Sequence, residues 1–263
     1  TAGLTTDANG TVAVGRSALS ALTEGIGNVA VGHQTLDANQ TSDYNTAVGY
    51  QSLSGVTNDG LTGNTALGYQ SGLALTSAGG SIAIGYKALA THTTGGENIA
   101  IGYNAMVDTD AGSTSLGSTN NIALGRNALG GTWADAASNY NVAVGNDTMD
   151  AAMDGASYNT VVGNASLSSL TTGIRNTVLG ANALGNLTTG DHNVAIGMSS
   201  LDNIATGHRN IAIGYQAYDG ADGEENDNIA IGYAALGNLN HDSAARNIAI
   251  GNYAADGMGT VGA

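Results

Sequence analysis

The sequence predicts an all-β protein: a parallel β-solenoid, or β-roll, of about 14 coils of roughly 17 residues each. Three observations predict it. First, a five-residue phrase of the form Asn-x-Ala-aliphatic-Gly returns along the whole chain; Asn210–Gly214 and Asn228–Gly232 both read Asn-Ile-Ala-Ile-Gly. Second, aligning on its glycine gives fourteen copies, at Gly15, Gly32, Gly49, Gly68, Gly85, Gly102, Gly125, Gly145, Gly163, Gly180, Gly197, Gly214, Gly232 and Gly251. The modal interval is 17 residues, and every other interval is longer. Third, no stretch shows sustained 3.6-residue periodicity, so helices are not expected.

Each element of the unit has a physical reason. Asn stands four residues before the glycine at Asn28, Asn45, Asn64, Asn98, Asn121, Asn141, Asn159, Asn176, Asn193, Asn210, Asn228 and Asn247, with Thr11 and Ser81 in the other two copies. Stacked at one corner, these side chains are expected to form a hydrogen-bonded ladder about 4.8 Å per rung. The next three residues (β-branched, then Ala or Val, then Val, Leu or Ile) have the composition of a short strand. Glycine ends the strand where backbone turns or packs on backbone. Ala, Ser or Thr follows at the third position after it, then usually Leu or Met, then a polar stretch that is often Thr-Thr-Gly or close to it. Seventeen residues leave room for two strands of about five residues and two turns, against roughly 40 for a propeller blade. Fourteen singly stacked coils would measure roughly 65 Å. Residues 1–263 are therefore expected to be one solenoid repeat domain. Neither end reads as a cap, and the expectation is a segment of a longer fibre.

The strand is apolar on both faces, with large residues one and three before the glycine and a small one between. Such a strand is normally covered on both sides. A thin coil covers one, and the simplest cover for the other is the same surface of identical chains. A homo-oligomer is expected.

Composition excludes several classes. The 263 residues include 41 Gly, no Pro, no Cys and no Phe, with 6 Lys plus Arg against 21 Asp plus Glu and a net charge of −15. That balance argues against nucleic-acid partners and anionic membrane surfaces. Without cysteine there is no disulfide or thiol chemistry. No apolar run approaches the roughly 18 residues of a membrane span, so no membrane insertion is expected.

Phrases such as Asn45–Leu53 (NTAVGYQSL), Asn98–Met106 and Asn228–Leu236 resemble the repeats of phage tail fibres and the head repeats of trimeric autotransporter adhesins. The resemblance spans about Gly10 to Gly251. It implies a left-handed β-roll, a homotrimer, an extracellular location on a virion or cell surface, and a role in attachment. Adhesin heads typically have a shorter period than 17. Neither family places catalytic residues in these repeats, so no enzymatic activity and no cofactor is implied.

Candidate sites are few. Tyr follows the motif glycine at Tyr50, Tyr69, Tyr86 and Tyr103, and again at Tyr215 and Tyr233. A strip from Tyr50 to Tyr103 could stack on sugar rings of a glycan receptor; the alternative is a packing ladder along a turn or subunit seam. Trp133, the sole Trp, lies in a lengthened unit and is a second receptor-contact candidate, glycan or protein, if it projects from the solenoid; the alternative is insertion drift with an incidental Trp. Asp219, Asp222, Glu224, Glu225 and Asp227 crowd one loop and offer oxygen ligands for Ca²⁺. They lack the spacing of known calcium loops, and a solvated acidic loop is the simpler reading. His33, His92, His192, His208 and His241 have no partner at ligand spacing. The Asn-x-Ser/Thr sequons at Asn9, Asn39, Asn146, Asn164 and Asn186 arise freely in such a composition.

The function expected is a non-enzymatic fibre segment that spaces or presents a receptor-binding surface, with itself as partner. The alternative is a filament of rods stacked end to end. Ice binding needs regular Thr rows, which are missing, and a polysaccharide lyase needs a basic and carboxylate cluster that is also missing.

Overall fold

A computed structural model describes residues 9–55, 61–109, 117–220, 223, 225–239 and 245–257. The described chain is a β-solenoid of fourteen parallel strands, with no helix among those residues. It divides into two compact units, residues 1–139 and 140–263. The first holds β1 (Val12–Val14), β2 (Val29–Val31), β3 (Thr46–Val48), β4 (Thr65–Leu67), β5 (Ile82–Ile84), β6 (Ile99–Ile101) and β7 (Ile122–Leu124). The second holds β8 (Val142–Val144), β9 (Thr160–Val162), β10 (Thr177–Leu179), β11 (Val194–Ile196), β12 (Ile211–Ile213), β13 (Ile229–Ile231) and β14 (Ile248–Ile250).

Within each unit every strand pairs in parallel with the next, and motif positions face themselves: Ile82↔Ile99, Ala83↔Ala100 and Ile84↔Ile101 are typical. The same zero-offset register runs through the seven strands of the second unit. Identical phrases stack because a single three-residue strand satisfies none of its own ladder bonds and gains them only from a neighbour.

The Asn column is the ladder expected. Asn176 Nδ2 donates to Asn159 Oδ1 (3.0 Å) and to Gly190 O (2.9 Å). Its own Oδ1 accepts from the backbone N–H and the Nδ2 of Asn193 (2.9 and 3.1 Å). Asn28 to Asn64, Asn98 to Asn121 and Asn141 to Asn247 repeat the pattern within their units. Ser81 interrupts it but stays in line, taking a bond from Asn98 N–H on its Oγ.

Among the described residues, the second strand expected in each coil is not formed. Residues two and four after the glycine adopt left-handed conformations, as at Gln34 (φ 54°) and Leu36 (φ 49°). Alternating left-handed residues curl the chain out of a pleat, yet coil-to-coil bonding continues through it: Gln34 N–H donates to Arg16 O and Leu36 N–H to Ser52 O. Those turns aim Leu36, Leu53, Leu89, Leu129, Leu184 and Leu201 into the interior, where each is fully buried beside the strand alanines. In the fourth coil Gly72 holds the Leu position, and the Leu53 side chain of the coil before fills the space. Thr35 at the third position after Gly32 donates to Gly49 O (2.6 Å), a bond open to the copies that carry Ser or Thr there. At Gly180 (φ 151°) a Cβ would collide with the carbonyl of Gly197, so backbone approach, more than turning, demands glycine.

Candidate functional site

The strand shows which apolar face is inside. Its central Ala or Val is buried in every strand from β2 to β14, while the flanking residues are half-buried or exposed. Each unit therefore carries two outward columns of Val, Ile, Leu and Thr along seven rungs. At about 4.8 Å per rung, each face is roughly 30 Å long. Thr46 and Thr65 in the first unit, and Thr160 and Thr177 in the second, are its only polar rungs.

Directly after the motif glycine runs the tyrosine edge. Tyr50, Tyr69, Tyr86 and Tyr103 stack at centroid distances of 5.3, 5.1 and 5.0 Å, with planes within 8° of parallel. His33 extends the stack at 5.3 Å, and Lys87 Nζ sits 5.6 Å from the Tyr86 centroid. The in-register rungs turn the ring faces onto one another, the arrangement of a packing ladder. The four residues remain 40–53% exposed. Beside them Gln51 donates to Gln34 and Gln70 to Gln51, a short amide ladder.

A second edge precedes the strand, five residues before the glycine, and sequence reasoning missed it. It carries Tyr44, Glu97, Asn120, Tyr140, Tyr158, Arg175, His192, Arg209, Asp227 and Arg246, with glycine at Gly10, Gly27, Gly63 and Gly80. Tyr140 stacks on Tyr158 at 5.0 Å, and Arg175 lies 5.7 Å from the Tyr158 ring. Arg209 grips Asp227 through two hydrogen bonds of 2.6 and 3.0 Å. That bond holds the Asp227 carboxyl below its usual range and raises the Arg209 guanidinium. The signal was available: all six Lys and Arg residues fall within two residues of a motif glycine or on this column.

Trp133 does not project. It is fully buried, with its N–H donating from the backbone to Asp108 O (3.0 Å), so it is a core side chain and not an exposed receptor contact. The lengthened loop folds its largest apolar group inward because the solenoid bore is the only place that can cover it. Of the acidic loop, Asp222 and Glu224 lie outside the described residues. Asp219 packs against Asp202, and burial followed by that neighbouring charge raises its carboxyl. Asp202 is raised by burial. Asp227 is engaged by Arg209. Glu225 is buried and accepts from Gly223 N–H (3.1 Å). Burial, and after it the Glu225 charge, pushes the Tyr218 hydroxyl above the usual phenol range. Among the described residues no group of three or more His, Asp or Glu converges as a metal site. His92 is an interior residue, its ring nitrogens meeting Thr109 Oγ1 and Gly95 O, each at 2.8 Å.

The arrangement offers association surfaces: an apolar strand face bordered by two polar and aromatic edges. No family model, curated protein or solved structure matches this chain.

Proposed function

We propose that the chain is a structural, non-enzymatic fibre segment: a homotrimeric β-solenoid, displayed outside the cell on a virion or cell surface, that spaces or presents a receptor-binding region. One observation carries this reading. The strand face that turns outward is aliphatic along both units, and water-exposed apolar columns of this length normally mark an interface. Identical chains supply an identical cover at no added sequence cost. The likeness of NTAVGYQSL-type phrases to tail-fibre and adhesin repeats supports three copies and an attachment role.

Light scattering on the purified chain tests it. A particle of three chains at micromolar concentration is expected, and a monodisperse monomer would overturn the reading. Negative-stain images separate it from the filament alternative: finite rods are expected, whereas indefinite threads would favour end-to-end stacking.

A further inference from the structure

Two columns border the outward strand in every coil, one immediately after the motif glycine and one five residues before it. In several coils a small residue in one column accompanies a larger one in the other, whereas Tyr44 with Tyr50 and Arg209 with Tyr215 are large in both. Gly63 and Gly80 precede the strands that Tyr69 and Tyr86 follow; Arg175 precedes the strand that Ala181 follows; Tyr140 and Tyr158 pair in this way with Asn146 and Asn164. No coil has Gly or Ala in both columns, and none has like charges in both. Glu97 and Asp227 share their coils with Tyr103 and Tyr233, phenols able to donate to a carboxylate.

The chain's own packing does not account for the glycines at 63 and 80. Their φ values of 78° and 69° are left-handed, but the same column holds Tyr44 at 56° and Tyr158 at 63°. A Cβ at Gly63 would meet nothing within 4 Å, and one at Gly80 only Glu97 Cγ at 3.7 Å. Gly27 differs, because the Tyr44 ring occupies the place of its Cβ. Nor can Tyr69 fill the notch at Gly63 within one chain, since six residues of mostly extended backbone, about 20 Å, separate them.

We infer that the two edges meet between copies of this chain. The tyrosine edge of one copy seats on the glycine-notched edge of the next, with the copies parallel. The inference rests on the homo-oligomeric reading above and adds which surfaces touch. Contact between unlike columns is heterologous, so it builds a ring where the rotation closes and not a two-fold pair. Closure also requires zero axial shift per copy, which places equal rungs side by side. Tyr69 then faces Gly63, Tyr86 faces Gly80, and the Tyr103 hydroxyl faces the Glu97 carboxylate.

The test fills the notches and then empties their occupants. In the full chain, Gly63→Tyr with Gly80→Tyr introduces a residue the same column already accommodates at Tyr44, so circular dichroism should be unchanged. Association, measured by sedimentation equilibrium, should weaken at least about tenfold, a loss of roughly 1.4 kcal/mol. Adding Tyr69→Ala and Tyr86→Ala to that variant should restore it. Unchanged association, or a loss the second pair does not restore, overturns the proposal. A readout independent of stability uses the absence of native cysteine. Chains carrying only Gly63→Cys or only Tyr69→Cys are cross-linked with a short bis-maleimide. Cross-links should form when the two are mixed and not within either alone; self-cross-linking of either overturns the inference. If the unsubstituted chain is a monomer, the homo-oligomeric reading fails first, and with it this one. A ring that forms without 63-to-69 cross-links sinks only the pairing of these edges.

Discussion

Asn176 shows what a single residue contributes to a stacked fold. Its side chain donates twice and accepts twice, always across coils and always out of water. Asn176→Ala would leave the buried Asn193 N–H and Gly190 carbonyl without partners. The expected loss is about 2–5 kcal/mol, read from urea unfolding of the variant. Asn176→Ser should cost less, because Ser81 in the same column of the other unit still accepts a backbone bond. Equal losses for Ala and Ser would show that packing, not hydrogen bonding, sets the Asn column. Titration adds a second residue-level prediction. Burial raises Asp202, and burial with the Asp202 charge raises Asp219. A carboxyl whose folded pKa lies above its unfolded value binds more protons when folded. Its contribution is complete below the unfolded pKa, near 3.8, and is lost as pH rises through the folded value. Asp202→Asn should therefore raise the melting temperature at pH 7 and leave it unchanged below about pH 3. A variant less stable than the parent at pH 7 would reverse the assignment.

At the scale of the coil, the Asn corner, the strand and the glycine were all legible, because each repeats as a residue type with one physical job. The second strand was expected and is absent among the described residues. The left-handed turns that replace it use Gln, Lys, Asn and Leu as well as glycine, and such residues carry no turn signature when read singly. The place of Trp133 was left open for a related reason: a lengthened loop can project or fold inward, and here the ring is fully buried. The edge before the strand went unread because its residue types vary from Gly to Tyr to Arg, and only comparison with the opposite edge gives them a pattern. The motif glycine supplies a coil-level prediction. In Gly180→Ala the new Cβ meets the Gly197 carbonyl, which belongs to the next rung. A rung can move away only by breaking its ladder, at a cost of about 2–4 kcal/mol. In a stack held by nearest-neighbour contacts, a weakened interface separates the coils on its two sides. Guanidinium unfolding of Gly180→Ala is expected to begin earlier and spread over a wider range than the parent's. A parallel shift of one sharp transition would mean that the second unit unfolds as a single block despite the break.

The whole molecule sets apolar attraction against charge. Each chain carries −15, and a parallel assembly with equal rungs side by side brings like loops of its copies to the same height. The outward columns and the tyrosine edge hold few charges: among the seven-residue segments from the Asn column to two residues past the glycine, only Asp147 is acidic. In the proposed oligomer, repulsion between copies therefore comes from loops around the solenoid and weakens as salt shortens the screening length, about 10 Å at 0.1 M. Attraction in that oligomer comes from aliphatic surface, which salt does not screen. The sign of the response to ionic strength therefore reports whether charge opposes or holds the interface. Association measured by sedimentation equilibrium should tighten as sodium chloride rises from about 0.02 to 0.5 M, with most of the change complete once the screening length falls below about 5 Å. It should also tighten as pH is lowered toward the isoelectric point near 4.2, where the acidic loops lose charge. Weakening with salt would mean that ion pairs, such as exposed Arg16 or Arg126 against a neighbour's acids, hold the copies together in place of the aliphatic face.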